Sequence, residues 1–371
     1  MTGLGYTRFE SEANVYSRFS SSVYLLLAIY VDDIIMVCND LNSLGEAKRE
    51  LCSIFSMQDL GPLQYCLGIQ IHQDPDKGFI SLSQSSYVLT ILKRFNLADC
   101  KGIDTPLPPS LKPSGVHRPG SSINLTFANI LGGVRYLVTC TRLDICFAAN
   151  YLSRHMEAPQ PHPHLYLKRL LGYLRATQTL SLTYHAAAHP SPLLLYGYSD
   201  ANWGGDQPTM QSKSGFVFFT AGAAVIWQSR KQDRVSLSST EAEYMAMTMA
   251  LKEGLWLKSL LDESRSLSAP PFQLHCDNLS AILLAKNLKH SENTKHIALK
   301  LQFIRELVQE GQIELVHVRT QYQWADFLTK SLPKAKHWEC CTQTGLNTKY
   351  CVTTLPIVGG VCRKLLQLEA S

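Results

Sequence analysis

The chain has 371 residues, 45% of them hydrophobic and 18% charged, which excludes a disordered protein and suffices for two or three domains with their own cores. Its formal net charge of +5 is small for that length, so charge alone does not nominate a nucleic acid as partner. Eleven cysteines are scattered without a C-x-x-C pair, which argues against a zinc module or a regular disulfide framework and for a reducing interior.

In chain order, the residues after Met1, TGLGYTRFESEAN, show no targeting pattern, and no targeting segment is expected. The apolar stretch from Val23 to Cys38 carries Asp32 and Asp33 at its centre, where charges are most costly in a membrane. No membrane span is therefore expected. The stretch reads as two strands, VYLLLAIY and IIMVCND, joined by a two-residue turn of Asp32 and Asp33. Leu44, Lys48, Leu51, Cys52 and Phe55 recur at helical spacing, and the Gly61–Pro62 turn should follow that helix. LQYCLGIQIHQ and GFISLSQ flank turn residues Asp74 to Gly78 as a second hairpin, and Tyr87, Ile91, Leu92 and Phe95 mark the next helix. Strand pair, helix, strand pair, helix is an α+β arrangement.

From Gly102 to Asn124 Pro, Ser and Gly dominate, so a linker or long loop is expected. Residues 127 to 180 read as mostly helical, with RYLVTCTRLDICFAANYLSRHM and LYLKRLLGYLRAT on either side of APQPHPH. His155, His162 and His164 flank the prolines there with no Cys or carboxylate at ligand spacing, so a solvated loop is expected rather than a metal site. Lys168, Arg169 and Arg175 read as a wet helix face.

Beyond Pro192, LLLYGYSD, SGFVFFTAG and AVIWQSRKQDRVSLSS read as three strands. A long helix starts at Ser239 or Thr240, with Thr240 and Glu243 in the S/T-x-x-E capping arrangement. FQLHCDN is then a strand, LSAILLAKN and HIALKLQFIRELVQEG are helices, IELVHVRT is a strand and ADFLTKSL a last helix. The order is βββ, α, β, α, α, β, α.

Asp200, Glu243, Asp277 and Asp326 each sit where a strand ends or a helix begins, positions from which distant carboxylates can meet at one sheet edge. Clustered carboxylates repel unless cations join them, and hard divalent metals such as Mg²⁺ take oxygen ligands and act on phosphates. Helical geometry separates Glu241 from Glu243 by about 200°, so only one can face the sheet. Glu243 shares the stripe of Ala246, Met247, Ala250 and Leu251 and is the one expected in the site. Each acid also has a plainer role open to it: Asp277 and Asp326 as helix caps, Asp200 as a polar turn, Glu243 as a cap. Asp200, Glu243 and Asp277 are expected to converge within about 4 to 7 Å, with Asp326 slightly apart.

Residues 193 to 332, through YSDANWGGD, KSGFVFF, WQSRKQDRVSLSSTEAEYMA, CDNLSAILLAKN, KHIALKLQFIRE and HVRTQYQWADFLTKSL, resemble the ribonuclease H domain of copia-type LTR retrotransposon Pol polyproteins. Residues 5 to about 106, with YVDD (Tyr30 to Asp33) and DLGPLQYCLGIQI, resemble the C-terminal part of that polyprotein's reverse transcriptase. RYLVTCTRLDICFAANYLSR and LKRLLGYLRAT resemble the connecting region, although TRLD stands for the usual TRPD and RAT for RGT or KGT. The resemblance implies a partial palm-thumb of a reverse transcriptase (1–106), a linker and helical connection (107–190), a ribonuclease H-like mixed five-stranded sheet with flanking helices (191–335) and a divergent tail (336–371).

It implies that Asp200, Glu243, Asp277 and Asp326 hold two Mg²⁺ ions, roughly 4 Å apart, and cleave RNA in an RNA/DNA hybrid. A counterpart to the mobile histidine of cellular ribonucleases H is absent, since His317 falls within a strand. For the polymerase half, Tyr30, Asp32 and Asp33 are expected to be a remnant, because the third aspartate of such enzymes precedes this hairpin by many residues. A partner chain supplying the missing half, an exposed apolar surface where it would pack, and location in the cytoplasm or in virus-like particles complete the expectation. The alternative is a non-catalytic remnant that at most binds nucleic acid.

Overall fold

The computed structural model describes residues 1–20, 22–111, 125–156, 161–186, 195–265, 270–286, 298–348 and 360–364. First come β1 (Thr7–Arg8), β2 (Val15–Ser20), β3 (Val23–Tyr30), β4 (Asp33–Cys38), α1 (Leu41–Ile54) and β5 (Met57–Pro62). β6 (Tyr65–Cys66), β7 (Ile69–Asp74), β8 (Phe79–Ser83) and α2 (Ser85–Arg94) follow, then α3 (Leu125–Cys140), α4 (Cys146–Ser153), α5 (Pro161–Ala176) and β9 (Ser181–His185). Next are β10 (Tyr196–Asp206), β11 (Gln211–Thr220), β12 (Ala223–Lys231), α6 (Ser239–Arg265), β13 (Phe272–Cys276), α7 (Leu279–Lys286) and α8 (Ala298–Gln309). β14 (Ile313–His317), α9 (Lys334–Gln343), β15 (Leu346–Asn347) and β16 (Gly360–Lys364) complete the order. The chain divides into two units: Met1–Ile80 with Trp256–Ala269 and Val352–Ser371, and Ser81–Leu255 with Pro270–Cys351.

In the first unit the sheet order is β1-β2-β3-β4-β16-β5. Alternation along β3 and β4 turns Leu25, Leu27, Ile34 and Met36 inward against Leu44, Ala47 and Leu51 of α1. Asp40 starts α1 by accepting the Ser43 N–H at 2.7 Å. β3 and β4 pair as far as Tyr30↔Asp33, so the two-residue turn is Val31–Asp32 and not Asp32–Asp33. Val31 has φ 53°, the left-handed value a tight hairpin turn needs at its first central position and one that strains a β-branched residue. β5 and β16 were not foreseen; they pair with each other across most of the chain length.

The second unit has a helical core in which Val88, Ile91 and Leu92 of α2 meet Leu131, Val134 and Leu137 of α3 and Leu170 and Leu174 of α5. The TRLD segment is buried beside it. Arg142 donates to Asp144 from Nε (2.9 Å) and Nη2 (2.7 Å), and again from Nη2 to Thr177 Oγ1 at 2.7 Å. Tyr173 gives its hydroxyl proton to Asp144 Oδ2 at 2.8 Å and meets His337 Nε2 of α9 at 3.0 Å. Cys340 and Cys341 of α9 are fully buried with Leu143, Leu182, Phe219 and Leu328, while Trp338 packs against the helical core, so α9 is built into the unit.

Two expectations on the helices need correction. Arg169 donates to Thr105 O and Oγ1 (3.2 and 2.7 Å), and Arg175 to Ala98 O (2.6 Å), so both anchor the chain leading into the linker rather than forming a wet face. Lys168 alone of that group is exposed. α5 begins at Pro161, which puts His162 and His164 in its first turn instead of a loop, a place where proline's missing N–H is tolerated.

The sheet of this unit has the order β12-β11-β10-β13-β14. β10, β11 and β12 run antiparallel, and β13 and β14 join β10 in parallel, giving the mixed five-stranded sheet. ADFLTKSL is not a helix: Asp326–Leu328 forms one 3₁₀ turn, and α9 starts only after Pro333.

Candidate active site

Asp200 lies within β10, not at its end, and pairs with Gly215 of β11. The parallel rungs between β10 and β13 run only from Tyr196↔Gln273 to Tyr198↔His275, and continuing that register sets Asp200 level with Asp277. Gly215 matters for a second reason. A Cβ there would sit 2.8 Å from both Leu328 Cβ and Thr329 Cγ2, so glycine admits the segment that carries Asp326. Gln323 Nε2 holds the same segment to Ser199 O at 3.0 Å. Thr329 then donates its hydroxyl to Asp200 Oδ2 and lies 3.1 Å from the Asp326 carbonyl.

The two glutamates of α6 divide their roles differently from the predicted cap. Ser238 and Glu241 form it: Glu241 N–H donates to Ser238 Oγ at 3.1 Å, and Leu237 N–H donates to the Glu241 carboxylate at 2.6 Å. Glu243 is thereby left for the sheet. Its Oε1 accepts the Ala201 N–H at 3.3 Å, and its Oε2 accepts the Cys276 thiol at 3.7 Å. At the start of α7 the cap is Asn278, whose Oδ1 accepts the Ala281 N–H at 2.9 Å, so Asp277 does not serve as one. Glu243, Cys276 and Asp277 place ligand atoms within 4.8 Å of one another. Asp200 and Asp326 both stand outside that trio, Asp200 held by Thr329 and Asp326 with Oδ1 on the Lys330 ammonium at 2.8 Å.

The acids sense one another. Burial, then Asp326 and Asp277, push Asp200 up to about 7 against the opposing pull of Lys330 and Thr329. Burial, then Asp200 and Asp277, raise Glu243 far above the carboxylate range. Asp326 is raised by burial and by Asp277, with Lys330 opposing. Burial would depress the Lys330 amine, but Asp200, Asp326 and Asp277 together hold it above its ordinary value. One ammonium thus faces three carboxylates, with Glu243 beside two of them, and further positive charge is what the arrangement lacks. The donors are hard oxygens, which fits a divalent cation of the Mg²⁺ class. Cys276 stays a thiol, because burial and Glu243 raise its pKa, so it donates a hydrogen bond and is no soft ligand.

Cys276, Thr329, Lys330 and Gly215 were not singled out from the sequence. A glycine inside the strand FVFF run was the one available signal, since it marks a close backbone approach. At the hairpin, Tyr30 is 58% exposed and Val31 82% exposed. Among the described residues, Asp32 and Asp33 join no group of three metal-ligating side chains.

Fold and site together define a ribonuclease H-like domain with an acidic cluster where its parallel pairing ends, on a chain that also carries a reverse transcriptase-type hairpin sheet. Residues 1–109 match the family described as reverse transcriptase (RNA-dependent DNA polymerase). The retrovirus-related Pol polyprotein of transposon TNT 1-94 from Nicotiana tabacum is 35% identical over 92% of this chain and 26% of its own length. The putative transposon Ty5-1 protein YCL074W of Saccharomyces cerevisiae is 30% identical over 67% of this chain and 80% of its own length. Among solved structures, LC11-RNase H1 isolated from compost aligns with 37% of this chain and 92% of its own, at 16% identity and a TM-score of 0.30. The chain belongs to the copia-type retrotransposon Pol polyprotein family. It spans about a quarter of the length of the plant Pol polyproteins it matches.

Proposed function

We propose that Asp200, Glu243, Asp277 and Asp326 hold two Mg²⁺ ions and cleave the RNA strand of an RNA/DNA hybrid, the substrate class that the Pol family suggests. The observation that supports this is the closeness of these carboxylates to one another, through which burial and neighbouring acid charge raise Asp200, Glu243 and Asp326 above their ordinary values. Bound ions would neutralise the phosphodiester, act as Lewis acids and bring water to a reactive state at neutral pH.

The chain's own residues prepare the site. The parallel register of β10 with β13, continued two residues past Tyr198 and His275, brings Asp200 level with Asp277. The Thr329 hydroxyl orients Asp200 through Oδ2, while the Ala201 N–H and the Cys276 thiol fix both oxygens of Glu243. Asp200, Glu243 and Asp326 are at most 5% exposed, so solvent does little to screen the charges among them.

The test is incubation of the full chain with Mg²⁺ and a hybrid labelled on its RNA strand. Cleavage is expected for the wild type and not for Asp200→Asn or Asp277→Asn. A chain that leaves the hybrid intact, or variants that cut as well as the wild type, would leave a non-catalytic remnant as the better account.

A further inference from the structure

Beside the carboxylates lies a cavity of about 220 Å³ lined by Phe147, Tyr151, Asn202, Asp206, Lys213 and Lys330. Lys213 is its unusual member. On β11 it faces Asn202 across one ladder and Lys231 across the other, and like charges directly opposite one another repel. The side chain is 3% exposed, yet it makes no hydrogen bond or ion pair with any described residue. Its ammonium lies against two rings, with Nζ 4.8 Å from the Phe147 centroid and 5.6 Å from that of Tyr151.

The surrounding charge does not balance. Asp206 is the carboxylate here, and it is already taken by Arg154 and by Lys231 at 3.4 Å. Burial would raise Asp206, but Thr209, Arg154 and Lys231 hold it below the ordinary carboxylate value. Arg154 keeps two further buried donors, Nε and Nη2, that find no partner among the described residues. Burial, then the neighbouring Arg154 and Lys231, bring the Lys213 amine down to about 8 against the pull of Asp206. A buried ammonium and a guanidinium with idle donors beside a polar cavity call for an anion with several oxygens.

We propose that this cavity is a phosphate subsite, in which Lys213, with the positive charge of Arg154 nearby, takes a backbone phosphate of the nucleic-acid strand held at the carboxylate site. Its location supports the backbone assignment: Lys330 lines the cavity and pairs with Asp326, and Asn202 lies two residues beyond Asp200 on β10. A phosphate seated here would fix the register of the strand without reading its sequence. The identity of that strand rests on the ribonuclease reading, whereas the anion site itself does not.

The experiment separates the two. Binding of a fluorescent RNA/DNA hybrid to the full chain is measured in EDTA over a range of KCl, so that no cleavage enters. Lys213→Met is expected to weaken binding and to reduce the slope of log affinity against log salt by about one, the signature of one lost phosphate contact. Lys213→Arg keeps the charge and should restore the slope, and Lys213→Gln, which removes the charge but stays polar, takes the place of the methionine variant if that does not fold. A reduced slope supports the subsite even if the hybrid proves uncut with Mg²⁺, a result that would sink only the ribonuclease reading. Equal slopes in the wild type and Lys213→Met overturn the subsite whether or not cleavage occurs. Inorganic phosphate that raises the melting temperature of the wild type but not of Lys213→Met, with hybrid binding indifferent to the substitution, assigns the cavity to free phosphate and overturns it as well.

Discussion

The Ala201 N–H donates to Glu243 Oε1 across 3.3 Å, tying helix α6 to strand β10 one residue from Asp200. Two residues earlier on the same helix, Glu241 spends its carboxylate on the Leu237 N–H at 2.6 Å. Neighbouring glutamates of similar burial therefore do separate work. Glu241→Ala should destabilise the chain by about 1 kcal/mol through loss of the cap, while Mg²⁺ still raises its melting temperature. Glu243→Gln should keep or raise metal-free stability at pH 7.5 and lose the Mg²⁺ response. Urea melts of both variants with and without Mg²⁺ check this, and a Mg²⁺ response retained by Glu243→Gln would contradict it.

The same acids set a pH dependence. Asp200 has its ordinary value at 3.8 in the unfolded chain and about 7 in the folded one. Between those values the folded chain holds a proton that the unfolded chain has released, so this contribution is complete below 3.8 and is lost as pH rises through about 7. On the two-metal proposal, a divalent cation would replace the proton at higher pH. Without metal, the melting temperature of the wild type should fall from pH 5 to 8 relative to Asp200→Asn. At pH 7.5 Mg²⁺ should reverse that deficit, by an amount on the order of 2 kcal/mol for a shift shared among coupled acids. Parallel melting curves for the two proteins with no pH-dependent gap would refute the assignment.

His337 carries the opposite sign. The Tyr173 proton goes to Asp144, so the 3.0 Å contact between Tyr173 and His337 has Nε2–H as its donor and the ring is neutral. Burial, aided by the Arg142 guanidinium, brings its pKa down to about 4 against the pull of Asp144. The unfolded chain binds the extra proton first, so stability is present above the ordinary 6.5 and is lost as pH falls toward 4. His337→Gln can still donate to Tyr173 and should flatten the melting curve between pH 6.5 and 4.5 relative to the wild type. An unchanged acid slope in that variant would show that the proton is taken up elsewhere.

Much of this architecture was legible because its signals are local. The alternation of VYLLLAIY and IIMVCND and the 3.6-residue stripe around Glu243 needed no distant partner, and the order βββαβααβ follows from such runs, whereas the last helix expected at ADFLTKSL forms only beyond Pro333. Where the sequence misled, two local patterns competed or the deciding contact was distant. Thr240/Glu243 and Ser238/Glu241 both satisfy the capping spacing, and only the sheet's use of Glu243 decides between them. The Asp32–Asp33 turn slipped by one residue because register is set by cross-strand pairing, which an Asp-Asp pair does not announce. Lys213 reads as an ordinary strand lysine until Phe147 and Tyr151, some sixty residues earlier, close over it.

Gly215 offers the sharpest test of how the sheet builds the site, because it touches no metal and carries no charge. Its position opposite Asp200 is where Leu328 and Thr329 come down on β11, and a methyl group would stand 2.8 Å from each of them. Gly215→Ala must push that segment outward, which lengthens the bond from Thr329 to Asp200 and carries Asp326 and Lys330 away with it. Overpacking of this kind costs roughly 1–3 kcal/mol. Stability should fall by that amount while the sheet still forms, so circular dichroism would change little and the Mg²⁺-induced rise in melting temperature would shrink. Thr329→Val removes only the hydroxyl bond and should reproduce the weaker metal response without the overpacking loss. If Gly215→Ala kept the full metal response, Asp326 would not depend on this approach to reach the other acids.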